Sequence, residues 1–201
     1  MSIEKIDTLV VGGGQAGLAM SEHLSANGVP HLVLERIAER WRSERWDSLV
    51  ANGPAWHDRF PGLEFSDVDR SVGPNGFPPK ETVADYFVAY AKKISAPIRC
   101  GVEVLSVERK IGRPGFRLET SAGVIEANRV VAATGPFQRP IMPEMVPSET
   151  GVLQMHSAGY RNPGQLPEGV VLVVGSGSSG TQIAEELLES GRRVYLSVGP
   201  A

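Results

Sequence analysis

An α/β fold built on a parallel sheet is predicted for this 201-residue chain. Three observations carry that expectation. A short apolar run, IDTLVV at Ile6–Val11, ends in consecutive glycines and is followed by helical periodicity and a second apolar run. This is the strand–helix–strand unit of about 30 residues that makes the smallest parallel crossover. The pattern returns about 160 residues later, from Val170 to Val198, so the chain contains an internal duplication. Of 23 glycines, seven fall in two short clusters, one in each unit.

The elements follow in order. Ile6–Val11 reads as a buried strand, because an uninterrupted apolar run entering a tight turn suits a sheet covered on both faces. Small and apolar residues (Ala16, Leu18, Ala19, Leu24) recur at helical spacing over 15–27, and Gly28 supplies the C-terminal glycine. His31–Glu35 (HLVLE) is the second strand. From Arg36 to Pro79 periodicity is lost, amid three tryptophans (Trp41, Trp46, Trp56) and turn signals such as Asn52-Gly53-Pro54. A stretch that long inside a domain usually has a function, and the expectation is a wrapper around a large planar ligand, beside a surface excursion whose tryptophans cover the core edge. Glu81–Ile94 is an amphipathic helix with Val83, Phe87, Tyr90 and Ala91 on one stripe. Strands are expected over 98–109, 115–120 and 124–133, the last two joined as a hairpin by Ser121-Ala122-Gly123. Prolines recur from Pro136 to Pro167, which is linker composition. After it come the strand Val170–Val174, a glycine turn, a helix over 181–190 with Ile183 and Leu187 on one face, Gly191, and the strand Val194–Val198.

The first turn, Gly12-Gly13-Gly14-Gln15-Ala16-Gly17, matches G-x-G-x-x-G. Gly12 permits the tight turn, Gly14 lets a pyrophosphate approach the backbone, and Gly17 allows close packing of helix on strand. The following helix offers free amides and the positive end of its dipole. Glu35 ends the second strand, where an acid accepts hydrogen bonds from a ribose diol. Strand, turn, helix and acid together point to a dinucleotide-binding, Rossmann-like domain. The second turn, Gly175-Ser176-Gly177-Ser178-Ser179-Gly180, has the same context but no acid after it; Ser197, Val198 and Gly199 stand there. A carboxylate would repel a ribose 2′-phosphate, so its absence favours NADP.

Composition bounds the rest. Apolar residues make up 41% and charged residues 21%, as in ordinary globular chains, and the net charge is -3. Nothing calls for nucleic acid or a membrane as partner, and no stretch approaches the roughly 20 apolar residues of a membrane span. One cysteine, Cys100, forms neither an internal disulfide nor a CxxC pair; a reducing, cytoplasmic setting is expected. The N-terminus carries acids and runs straight into a strand, unlike a signal peptide. No His/Cys/Asp/Glu spacing suggests a metal site, and Gly177–Gly180 lacks the G-x-S-x-G elbow of a serine nucleophile.

Paired glycine turns, Ala133-Thr134-Gly135, Trp41-Arg42 soon after Glu35, Phe77-Pro78 before a helix, and Met155-His156-Ser157-Ala158-Gly159-Tyr160 together resemble the flavin-containing monooxygenase family of two-dinucleotide flavoproteins. His156 and Tyr160 match the last two positions of its fingerprint F-x-G-x-x-x-H-x-x-x-[FY]; its Phe and Gly positions fall on Thr150 and Val152. The resemblance implies FAD on the first turn and NAD(P)H on the second, with NADP expected. It implies oxygen insertion from O2 into a small organic substrate through a flavin hydroperoxide. A flavin-dependent NAD(P)H reductase and a non-catalytic nucleotide-binding module stand beside it; a disulfide reductase would need more than Cys100. It also implies an N-terminal fragment of a longer protein, poorly active alone, with a homo-oligomer or complementing fragment as the partner.

The expected cofactor-binding residues are Gly12, Gly14, Gln15, Ala16, Gly17, Glu35, Arg36, Trp41, Arg42, Val104, Ala133, Thr134 and Gly135, with Gly175, Gly177, Ser178, Ser179 and Gly180 on the second turn. Asn52 corresponds to the asparagine that the resembled family places near the flavin and oxygen, and is also a natural turn residue before Gly53. His156 is the second candidate catalytic residue, or else a hinge residue that docks the linker. His23 and His31 read as structural. The expected division is a FAD-binding domain over 1–135, a linker over 136–168, and the first strand–helix–strand of an NAD(P)-binding domain over 169–201.

Overall fold

A computed structural model describes residues 3–35, 38–136, 139–143, 146–147 and 150–199. Within these, β1 (Glu4–Val11), α1 (Gln15–Ala26) and β2 (His31–Leu34) form the first crossover, with β1 and β2 parallel and Val11 opposite Leu34. Asn27 caps α1 and Gly28, at φ +64°, ends it. The chain continues through α2 (Glu39–Ser43), α3 (Ala55–Asp58), a 3-10 turn at Phe65–Asp67 and α4 (Lys80–Lys93). Next come β3 (Ile98–Arg99), β4 (Val104–Arg109), β5 (Phe116–Thr120) and β6 (Gly123–Ala132). These strands form one sheet in the order β3-β2-β1-β6-β5-β4; the first four are parallel, and β5 is antiparallel to both its neighbours. A second, two-stranded parallel sheet holds β7 (Val171–Val174) and β8 (Val194–Ser197), connected by α5 (Ser178–Glu189).

Two apolar clusters explain the layering. Leu9 and Leu34 of the parallel strands pack with Leu118, Ile125 and Ala127, so the antiparallel excursion covers one face. A larger cluster gathers Leu18 of α1 and the Val83, Ala84, Phe87 and Tyr90 stripe of α4. Burying such side chains contributes roughly 1.5–3 kcal/mol each, which is why a stripe at helical spacing on α4 decides where that helix lies.

One expectation changes. The strand expected over 98–109 is two strands, β3 and β4, on opposite edges of the sheet order. Gly101, at φ +75°, lies in the break, and β3 instead extends the parallel layer beside β2. In the stretch over 36–79, several aromatic side chains pack on the protein itself: Phe60 stacks on Tyr90 at 4.0 Å and Phe65 on Tyr86 at 4.0 Å, while Phe77 is half exposed. Trp41 packs against Phe87 and Trp46 is 2% exposed, while Trp56 alone of the three tryptophans is largely exposed. Sequence periodicity could not show this, because each partner lies far along the chain.

Candidate functional site

β1 delivers the chain into the first glycine turn at the carboxyl end of the parallel strands. Gly12 takes φ +108° and its amide donates to the Leu34 carbonyl at 3.0 Å. The Ala133 amide donates to the Val11 carbonyl at 2.8 Å. A Cβ on Gly12 would lie 2.2 Å from the Ala133 carbonyl oxygen, so the Ala133-Thr134 backbone runs directly against the turn. Gly17 lets α1 approach the strand ends closely. A Cβ there would meet the carbonyl oxygen of Gly12, the residue after β1, at 1.8 Å, and Cβ of Ala133, the residue after β6, at 3.6 Å. Gly14 is the opposite case. It is the N-cap of α1, makes no side-chain cap bond, and a Cβ on it would meet nothing within 4 Å. Gln15 and Ala16, the first helical residues, are exposed. An open space before the unpaired amides of a helix start fits a diphosphate.

Glu35 lies beside this turn, its carboxyl oxygen accepting from the Gly13 amide at 2.5 Å. A Cβ on Gly13 would stand 2.7 Å from Glu35 Cγ. Gly13 is a free position of the G-x-G-x-x-G pattern, and the spacing of Glu35 is the signal in the sequence that marks it.

The second turn repeats the first. Gly175 takes φ +99° and donates to the Ser197 carbonyl at 2.9 Å. A Cβ on Gly180 would lie 1.9 Å from the Gly175 carbonyl oxygen, whereas Gly177, the N-cap of α5, is open. Ser178 and Ser179 follow at the helix start, and their hydroxyls make no hydrogen bond among the described residues. Val174 is opposite Ser197, as Val11 is opposite Leu34. Val198 therefore stands where the first unit has Glu35, and it is 66% exposed.

The other predicted residues separate into groups. Thr134 and Gly135 continue from Ala133 at the first turn, Gly135 at φ +76°. Trp41 and Arg42 lie on α2, where Arg42 is paired with Glu81 (3.2 Å) and Asp85 (2.7 Å) of α4; the guanidinium faces a protein partner. Hydrogen bonding to Asp85 raises the Arg42 pKa further. Val104 opens β4 opposite Thr120 and packs its side chain into the apolar cluster with Leu9 and Leu34. Arg36 lies outside the described residues. His31 is tied to Ser21 Oγ (2.8 Å) and the Val29 carbonyl (3.0 Å), a structural position. His156 Nδ1 accepts from the Ala158 amide at 3.1 Å within its own turn.

Asn52 lies at a different place, on an open cleft of about 350 Å³ where α5 meets the 48–52 segment. Phe77, Gln182, Glu185 and Glu189 line it. Nearby, Trp46, Leu49, Tyr160, Ile183 and Leu187 form an apolar joint between the 41–50 segment and α5. The Tyr160 hydroxyl donates to Glu186 at 2.6 Å; burial, then that bond, push its pKa up. Thus the fingerprint tyrosine is buried against α5 and His156 sits in the turn leading to it. Leu187 belongs to the apolar face expected of this helix, whereas Gln182 and Glu186 carry no signal in the sequence beyond helix membership. Among the described residues no group of three or more His, Cys, Asp or Glu side chains is placed to hold a metal ion, and no helix is long and apolar enough to cross a membrane.

This fold, with a glycine turn at the carboxyl end of each first parallel strand, is that of the Rossmann-like α/β class. The chain belongs to the pyridine nucleotide-disulphide oxidoreductase family, which it matches over residues 9–200. It is 44% identical over 198 residues to an uncharacterized CzcO-like oxidoreductase of Geobacillus kaustophilus, covering 96% of this chain and 54% of that protein. It is 31% identical over 196 residues to the indole-3-pyruvate monooxygenase YUCCA1 of Oryza sativa subsp. japonica, covering 94% and 47%. The structure of a flavin-containing monooxygenase from Stenotrophomonas maltophilia superposes with a TM-score of 0.84 at 25% identity, over 99% of this chain and 59% of that one. The chain spans about half the length of the curated relatives it matches.

Proposed function

We propose that the chain is part of a FAD-dependent, NAD(P)H-using monooxygenase, with FAD on the first glycine turn and NADPH on the second. One observation carries the reading: two turns with the same hydrogen bonds and the same open N-cap, of which only the first is faced by an acid. Gly14 and the exposed start of α1 would hold the FAD diphosphate, and Glu35 the adenosine ribose. Gly177, Ser178 and Ser179 would hold the NADPH diphosphate, and uncharged Val198 leaves room for a 2′-phosphate. When bound, the flavin supplies acceptance of hydride from NADPH and transfer of one oxygen atom from O2 to a small organic substrate. The protein binds and orients; Asn52 offers amide hydrogen-bonding groups on the cleft between the units. We assign residues 1–135 to FAD, 136–168 to a linker and 169–201 to the nicotinamide nucleotide. One cysteine suits a cytoplasmic setting.

The test is equilibrium dialysis against FAD and NADPH. The reading expects one FAD and one NADPH per chain, each without displacing the other. Competition of both nucleotides for a single site, or no flavin binding, would contradict it.

A further inference from the structure

Gln182 lies on the second turn of α5, four residues after Ser178 and hence on the same helix face. Its Nε2 reaches across the cleft to two oxygens of the 50–52 segment: the Val50 carbonyl at 3.4 Å and Asn52 Oδ1 at 2.9 Å. These two contacts fix more than proximity. A backbone carbonyl can only accept, so the Gln182 group facing Val50 is the NH2. The Asn52 atom facing the same NH2 must then be its acceptor. The Asn52 amide is thereby oriented, with Oδ1 towards α5. Its Nδ2 makes no hydrogen bond among the described residues, and Asn52 is exposed on the cleft.

We propose that Gln182 is a positioning residue that sets the orientation of the Asn52 side-chain amide and so turns its two N–H donors away from α5. The functional weight of this rests on the reading of Asn52 as a group of the proposed active site. Because Gln182 rides on the helix that starts at Gly177, seating of α5 and orientation of Asn52 are one event. Asn52 is held by the unit that carries the second glycine turn, not by its own loop alone.

Gln182→Glu makes a sharp test, because a carboxylate accepts and cannot donate. The Asn52 amide must then turn, so that Nδ2 donates to the new carboxylate. Gln182→Leu removes both contacts and leaves the amide free to average. The 15N-labelled chain is compared as wild type and as both variants, without nucleotide, at the Asn52 side-chain amide signals; these are the pair lost in Asn52→Asp. In Gln182→Glu the signals move downfield and their solvent exchange slows roughly fivefold, the effect of one added hydrogen bond. In Gln182→Leu exchange stays fast. Unchanged Asn52 signals in Gln182→Glu overturn the proposal, as does an equal change in both variants. NADPH is then added to the wild type. Binding that moves the Asn52 signals supports the link to the second turn. Failure to bind NADPH overturns the functional reading while the nucleotide-free comparison still decides the role of Gln182.

Discussion

Gly17 and Gly12 are in contact so close that a single methyl group on Gly17 would stand 1.8 Å from the Gly12 carbonyl oxygen. The pair Gly180 and Gly175 repeats this at 1.9 Å. Both are backbone contacts, which cannot rotate away. Gly17→Ala should therefore destabilise the first unit by at least about 1–3 kcal/mol, the usual cost of overpacking. Gly14→Ala, with open space around it, should cost less, about 0.5–1 kcal/mol for placing alanine at an N-cap. Urea unfolding followed by circular dichroism compares the two.

Leu187 is 1% exposed in the joint between α5 and the 41–50 segment. Leu187→Ala leaves a cavity and should cost about 2–5 kcal/mol. The loss should concentrate in the second unit, whose two strands have few other buried partners. Hydrogen exchange would show it as lost protection of β7 and β8 with β1 and β6 unchanged.

Glu126 sits among Lys110 (2.9 Å) and Arg113 (3.0 Å), and the hydrogen bond from Lys110 holds its pKa below the ordinary value. A carboxyl lowered in the folded state contributes stability above its unfolded pKa, about 4.3 for an ordinary glutamate. That contribution is lost as pH falls through the lower folded value. Wild type should thus lose stability in acid, below about pH 4.3, more steeply than Glu126→Gln. Thermal melts over a pH series check the sign.

How much of this could be read from the residues differs from place to place. The two glycine turns were legible because their constraints are local: a strand, a turn at positive φ and a helix start fit within a few residues. The five-residue spacing of the first and third glycines, Gly12 with Gly17 and Gly175 with Gly180, is the trace of their contact in the sequence. The division of 98–109 into β3 and β4 was hidden because a mixed polar and apolar run with a single glycine reads as one strand, and pairing with β2 or β5 separates the two. The packing of Phe60 and Phe65 on Tyr90 and Tyr86, and of Trp41 on Phe87, could not be read from 36–79 because those partners lie far along the chain. Gln182 looked like any polar helix residue; its meaning comes from Asn52, which the fold alone brings near.

Val198 occupies the position that Glu35 holds in the first unit. Val198→Glu should weaken NADPH binding about tenfold relative to NADH, through repulsion between the new carboxylate and the 2′-phosphate. Its side chain is largely exposed, so folding should be unaffected. Titration of each nucleotide against both proteins gives the ratio; an unchanged ratio would show that Val198 is not at the ribose.

The account stands on two separate nucleotide sites, and paired substitutions test that most directly. Gly14 and Gly177 both lie in open space at a helix start, so Gly14→Val and Gly177→Val should both fold while filling the place of a diphosphate. Each protein is dialysed against FAD and against NADPH, and bound nucleotide is measured by absorbance. The account predicts that Gly14→Val loses FAD and keeps NADPH, and that Gly177→Val loses NADPH and keeps FAD. Full FAD retention by folded Gly14→Val, or loss of both nucleotides from either variant, would contradict it.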